Sequence, residues 1–239
     1  MHRLLVLLVM LASCARMPEP VMLPPEVTAI LPPNCGQVLY VTATATGATS
    51  AELKMLDRST GNHWHAVSPA MPARIGRNGM AWGHGEFGMA PPAGWRIKRE
   101  GDGCAPAGVF RITQAFGDIT KPRWIKLPYI HCTPHHWGID DVHSRHYNQI
   151  VDDREVSCDW TGPETMIPSV GCYKLGAEIA HNPRNVPGLG SCIFLHLWQG
   201  ENIPTAGCTA LSEPNLRQIL AWLDPAVHPC LVQIISAAQ

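Results

Sequence analysis

The sequence predicts a mainly β fold. Short runs rich in Val, Ile, Thr and aromatic residues recur between Gly, Pro and Asn signals, and only one stretch has convincing helical spacing. No repeat of 20 to 50 residues and no low-complexity tract interrupts the pattern. With 239 residues, 46% of them hydrophobic, the chain can bury a sizeable core in one or two domains, and a single larger β-rich domain is compatible with that length. Charged residues make up only 15%, against about a quarter in ordinary soluble domains. Lys plus Arg (18) nearly cancels Asp plus Glu (19), so no basic face is advertised and nucleic acid is set aside as a partner.

The first 13 residues place His2 and Arg3 before the apolar run Leu4 to Ala12. That run is far short of the roughly 20 residues needed to cross a bilayer, and reads as an export signal. It ends in Leu11-Ala12-Ser13-Cys14, which looks like a bacterial lipobox. The resemblance implies cleavage before Cys14, acylation of its thiol, and a periplasmic protein lipid-anchored to the outer membrane. Even an ordinary secretory signal would take the chain out of a reducing cytosol. Residues 14–34 carry Pro18, Pro20, Pro24, Pro25, Pro32 and Pro33, a composition expected to form an extended tether of about 3.1 Å per residue, reaching roughly 60 Å.

From Cys35 to the end a single β-rich domain is expected. Strands are predicted over Gln37 to Thr46, Ala51 to Asp57, Gly108 to Thr113, Tyr173 to Ala180, Ser191 to Trp198 and Cys230 to Ser236. The helix follows Ser212 as N-cap, with Glu213 and Pro214 in its first turn. Leu216, Ile219, Leu220 and Leu223 share one face until Asp224-Pro225 ends the run. In the strand Ser191 to Trp198, Cys192, Phe194, His196 and Trp198 fall on one face, and Ile193, Leu195 and Leu197 on the other. Both faces are apolar, so the strand is expected to be central.

Twelve residues after His196 stands Cys208, directly behind Gly207. A lone His on an apolar strand is more often a core residue, and a lone Cys is often buried and inert. Together they suit nucleophilic catalysis, because a thiol with a pKa near 8.5 is only a few per cent thiolate at pH 7 and an imidazole can take its proton. Gly207 removes a side chain where a substrate carbonyl must approach, and the N–H groups of Gly207 and Cys208 are candidates for an oxyanion hole.

These residues resemble the YkuD-type L,D-transpeptidases of bacterial peptidoglycan. The match comprises IFLH at Ile193 to His196, TAGCTAL at Thr205 to Leu211, REGDGCAPAGVFRI at Arg99 to Ile112, IDDVHSRHYNQIVDD at Ile139 to Asp153, and IGRNG at Ile75 to Gly79. It covers about residues 67–235, and four ordered motifs, with IFLH and TAGCTAL counted together as one, are far more specific than one His-Cys pair. The resemblance implies a β-sandwich or barrel with a few short helices, and no cofactor. It implies Cys208 as nucleophile, His196 as base, and Gly207 and Thr205 shaping the turn. Asp141 and Asn148 are implied at the substrate, and Trp198 is the tryptophan expected there because it follows His196 on the same strand face. Many members carry His before the Gly-Cys and Arg two places after the Cys, where this chain has Ala206 and Ala210; Arg99 or Arg111 is expected to grip the substrate carboxylate instead. The implied partners are peptidoglycan stem peptides, a tetrapeptide donor and an amine acceptor. An L,D-carboxypeptidase with water as acceptor and a non-catalytic peptidoglycan-binding lipoprotein are the alternatives.

His131, His135, His136, His143 and His146 cluster with Asp140 and Asp141 and invite a metal. No H-E-x-x-H pattern is present and Cys132 would be oxidation-prone in an exported protein, so the segment is read as a loop bordering the substrate cleft and no metal is expected. Of nine cysteines, assigning Cys14 to lipid and Cys208 to catalysis leaves seven. Cys192, on the buried strand, is expected to stay free. The remaining six would form three disulfides in any of 15 pairings, with Cys132–Cys158 favoured because it closes the His-rich insertion, worth roughly 3–4 kcal/mol in the chain-entropy account.

Overall fold

Alternating apolar residues and turn signals produce a fold dominated by strands, seen in a computed structural model that describes residues 20–59, 63–88 and 90–236. The export signal and Cys14 lie outside the described residues. In chain order the strands are β1 (Pro20–Val21), β2 (Gln37–Ala43), β3 (Ser50–Arg58), β4 (Trp64–Ala66), β5 (Met71–Arg74), β6 (Met80–Trp82), β7 (Ala105–Gly117), β8 (Tyr129–His131), β9 (His136–Gly138), β10 (Ile150–Asp152), β11 (Glu164–Thr165), β12 (Leu175–Ile179), β13 (Phe194–Leu197), β14 (Thr209–Leu211) and β15 (Cys230–Ile235). The helices are α1 (Pro25–Ile30) and α2 (Glu213–Trp222). All six expected strands form within a few residues of their expected bounds.

The main sheet runs β3-β2-β15-β7-β12-β13-β14-β5, and β5 pairs again with β3, so the path closes into a barrel and leaves none of these strands as a bare edge. The first and last long strands, β2 and β15, are parallel neighbours with Cys230 opposite Val38. Strand β13 lies between β12 and β14, antiparallel to the first and parallel to the second. It is central, as its two apolar faces require. Ile193, Leu195 and Leu197 enter the main core, onto which α2 lays Leu216, Ile219, Leu220 and Leu223. Cys192 and Phe194 point the other way, into a second cluster with Phe116, Tyr173 and Cys208.

The Pro-rich segment differs from expectation. Residues 24–31 are not an extended tether: α1 forms with Pro25 at its first turn and Glu26 beside it, a combination that suits the start of a helix. Six residues cannot hold a helix alone. Leu23, Val27 and Leu31 are buried against Val38, Leu56 and Val232, and that burial supplies the missing stability. Helix α2 begins where expected, but Ser212 makes no side-chain cap bond. The eight described cysteines are unbridged in the structure. The favoured Cys132–Cys158 pair is split between a buried residue and an exposed one.

The His-rich insertion folds as a small antiparallel sheet, β10-β9-β11. Its polar groups satisfy each other: His135 Nδ1 meets Asp153 at 2.9 Å, His136 Nδ1 accepts from Thr133 N–H, and the His146 ring packs edge-on against Trp160.

Candidate active site

Cys208 and His196 open onto one cavity of about 280 Å³. Strand β13 supplies His196 and the turn before β14 supplies Cys208; the two strands are in register with His196 opposite Ala210. Glycine makes the turn possible. Gly207 has φ +152°, and a Cβ there would come within 3.0 Å of Cys104 O, so the turn packs directly on the segment that follows Asp102. Gly76 is just as tight, since a Cβ would lie 2.4 Å from Gly103 O. The chain after β5 can therefore run against the cavity, where Thr205 N–H donates to Ile75 O (3.0 Å) and Arg77 N–H to Thr205 O (2.8 Å).

The polar contacts around the pair are specific. His196 Nδ1 lies 2.8 Å from Leu197 O. A carbonyl can only accept, so Nδ1 carries the proton and Nε2 is left as the basic nitrogen. The Cys208 sulfur accepts the Phe194 N–H at 3.3 Å and donates toward Cys192 O at 3.5 Å. Thr205 Oγ1 accepts the Gly207 N–H and donates to Cys208 O. The Gly207 N–H expected at an oxyanion is therefore engaged within the turn.

Burial sets the resting protonation. It pushes the Cys208 thiol up to about 12, reinforced by the Glu164 carboxylate and opposed by the Phe194 N–H. It pulls His196 down to about 4, opposed by the Leu197 carbonyl. The resting pair is thus neutral thiol and neutral imidazole, with the thiol proton not passed to the ring. The α2 dipole does not alter this: the three residues of β14 separate Cys208 from Ser212, about 10 Å of extended chain, and the dipole acts within a turn of the helix end.

Thr205, Gly207 and Trp198 also line the cavity. Four other expected site residues do not. Asp141 spends its carboxylate on the His143 and Thr161 N–H groups and the Thr161 hydroxyl, and those bonds hold it below the usual carboxylate range. Asn148 is a brace. Its amide donates to His181 O, Asn182 O and Asn185 Oδ1 while its Oδ1 accepts the Cys192 N–H at 2.9 Å. That bond fixes Cys192 at φ +51°, a costly left-handed backbone for a residue other than Gly, and so aims the Cys192 carbonyl at the Cys208 sulfur. Arg111 pairs with Glu86 at 3.0 Å and lies over the Phe87 ring. Arg99 is exposed on the turn between Lys98 and Asp102.

The cations that do line the cavity are Arg77 and Lys98, and the acids are Glu100, Asp140 and Glu164. Lys98 is buried and tied to Asp102 at 2.5 Å. Glu100 Oε2 accepts from the Tyr147 and Ser191 hydroxyls. Glu164 accepts the Tyr173 hydroxyl at 2.8 Å, and desolvation together with Asp140 holds its carboxyl above the usual range even though the residue as a whole is exposed. The Tyr173 ring stands edge-on to His196, 5.2 Å between centroids. Sequence reasoning passed over Arg77 although IGRNG had been singled out, and over Lys98, which immediately precedes the Arg99 segment.

A search of curated proteins found no match to this chain. A family model, the L,D-transpeptidase catalytic domain (YkuD), matches residues 61–233, well over half of the sequence and close to the range over which the motifs were read. The chain, with its mainly β barrel and its five motif segments in order, belongs to the YkuD family of L,D-transpeptidase catalytic domains.

Proposed function

We propose that this chain is an L,D-transpeptidase of the cell envelope, held there through acylated Cys14, that works through a thioester on Cys208. The carrying observation is the His196 Nδ1 to Leu197 O bond, which leaves Nε2 free to act as a base on the same cavity as the thiol. In the first half-reaction Nε2 takes the Cys208 proton as sulfur bonds to the carbonyl carbon of the diamino acid in a tetrapeptide stem. The C–N bond then breaks, the imidazolium returns the proton to the departing amine, and D-alanine leaves. In the second, an acceptor amine attacks the thioester, gives a proton to Nε2, and expels the sulfur, which recovers it as the thiol. Starting from a neutral pair, the proton moves only as the sulfur commits to the carbonyl.

The cavity's charges support a zwitterionic donor. Among the described residues Arg77 has no ion-pair partner, whereas Lys98 is neutralised by Asp102. Arg77 therefore suits the terminal carboxylate in place of Arg99 or Arg111. Glu164 and Asp140, on the opposite insertion, suit the ammonium of the diamino acid.

The test is mass spectrometry of purified muropeptides incubated with the mature chain. Cross-linked dimers with release of D-alanine are expected, and Cys208→Ala should abolish both. Arg77→Ala should reduce kcat/KM on stems with a free terminal carboxylate by about 10- to 100-fold, the range for a lost charge-assisted hydrogen bond. Shortened monomers without dimers would make the chain a carboxypeptidase, and unchanged muropeptides would make it a binding protein.

A further inference from the structure

We propose that Cys35 and Cys230 form a disulfide that staples the segment entering β2 to the last strand, β15. The two residues are fully buried in the cluster that also holds α1. Their thiols are in hydrogen-bonding contact, Cys230 donating to Cys35. The backbone holds them there independently of the side chains. Strands β2 and β15 are paired over six positions beginning at Val38 and Cys230. Gly36 N–H donates to Val227 O at 2.7 Å while Arg58 N–H donates to Gly36 O at 2.9 Å, so residues 35–36 lie between β3 and the chain entering β15. Gly36 has no room for a side chain, since a Cβ would sit 2.9 Å from the Val227 Cβ.

The two sulfurs also face backbone carbonyls, Cys35 that of Gln37 at 3.3 Å and Cys230 that of His228 at 3.7 Å, as Cys104, Cys132 and Cys192 face those of Asn78, Ile130 and Ile139. What sets the pair apart is the contact of one sulfur with the other. The expected Cys132–Cys158 bridge has no comparable contact. The hydrogen bond from Cys230, with Arg58 and Arg111 nearby, holds Cys35 below its ordinary range despite burial. Cys35 is accordingly the thiolate that starts the exchange. It attacks a disulfide-bearing oxidant and expels one of its sulfurs. Cys230, losing its proton, then attacks Cys35 in the mixed disulfide and expels the second. Two protons and two electrons leave the pair, and the oxidant is reduced to two thiols. Because both sulfurs are buried in the folded chain, the bond forms once β2, β7 and β15 have paired but before α1 covers the cluster, and it resists reduction afterwards.

The consequence reaches the site through β15. Its Gln233, fully buried, accepts from the Thr209 hydroxyl at 2.7 Å and donates to Pro106 O at 2.8 Å. The staple therefore fastens the strand that supports the residue following Cys208, without touching the cavity.

The experiment is peptide mapping of the full chain refolded with oxidised glutathione, its free thiols alkylated in denaturant without reductant. A linked peptide joining Cys35 to Cys230 is expected, with Cys104, Cys192 and Cys208 alkylated. Alkylation of both Cys35 and Cys230 in folded protein, or linkage of either to another cysteine, would overturn the proposal. Reduction in wild-type protein should lower the melting temperature by roughly 5–15 °C, with no such effect in Cys35→Ser/Cys230→Ser. Should that variant not fold, wild-type melting with and without reductant carries the comparison. An unchanged melting temperature in a linked chain overturns the stapling role.

Discussion

At the scale of single residues, the pair at the cavity is governed by what surrounds it. The Glu164 carboxylate is the second cause, after burial, of the high Cys208 thiol pKa. Glu164→Gln should therefore lower that pKa and increase the rate of iodoacetamide alkylation of Cys208 at pH 8 by about two- to tenfold, whereas Glu201→Gln, outside the cavity wall, should not. An alkylation rate equal in wild type and Glu164→Gln across pH 7–10 would remove Glu164 from the electrostatics of the site. Cys208 and His196 were legible because their pattern is local: alternation places His196 on one face of β13, and glycine marks the turn before the thiol. Arg77, Glu164 and Tyr173 were not, because they come from segments far apart in sequence that meet only when the barrel closes. Arg99 and Arg111 had the right charge but the wrong direction, which a motif does not encode.

Elements show the same division. Six strands and α2 were readable from periodicity because each has a face that must be buried. Helix α1 was hidden by proline. Six prolines between Pro18 and Pro33 suggested a solvated tether, yet Leu23, Val27 and Leu31 close over one edge of the core. Burying an aliphatic side chain of this size contributes about 1.5–3 kcal/mol, and placing a charge there is worse than losing the contact. Val27→Asp should lower the urea midpoint substantially at an unchanged m-value, while Thr28→Asp, on a half-buried position, should have a small effect. Equal midpoints for Val27→Asp and wild type would restore the tether reading. The insertion containing β9, β10 and β11 was legible as a cleft border, since it brings Asp140 and Glu164 to the cavity, but its five histidines hid how completely its polar groups pair among themselves.

For the whole molecule, buried histidines make stability depend on acidity. His181 is almost fully buried with neither ring nitrogen hydrogen-bonded; it packs against Phe110 and His84. Burial, with Lys98 and His84 nearby, pulls it down to about 3, and His196 lies at about 4. Unfolded histidines titrate near 6.5, so between pH 6.5 and these folded values the unfolded chain binds more protons than the native one and stability falls as pH falls. Each unit of pKa difference corresponds to about 1.4 kcal/mol. Asp140, Glu164 and Glu178, held above their usual range by burial, act in the opposite sense because the native chain binds their protons first. The histidine contribution is therefore isolated by substitution. His181→Phe keeps a ring against Phe110 and removes two unpartnered nitrogens, a change that is neutral or stabilising where no hydrogen bond is lost. Its urea midpoint should equal or exceed that of wild type at pH 7.5, and the gap should widen steadily down to pH 4.5. Parallel curves for the two proteins over that window would mean that His181 is already protonated, or already solvated, in the native barrel.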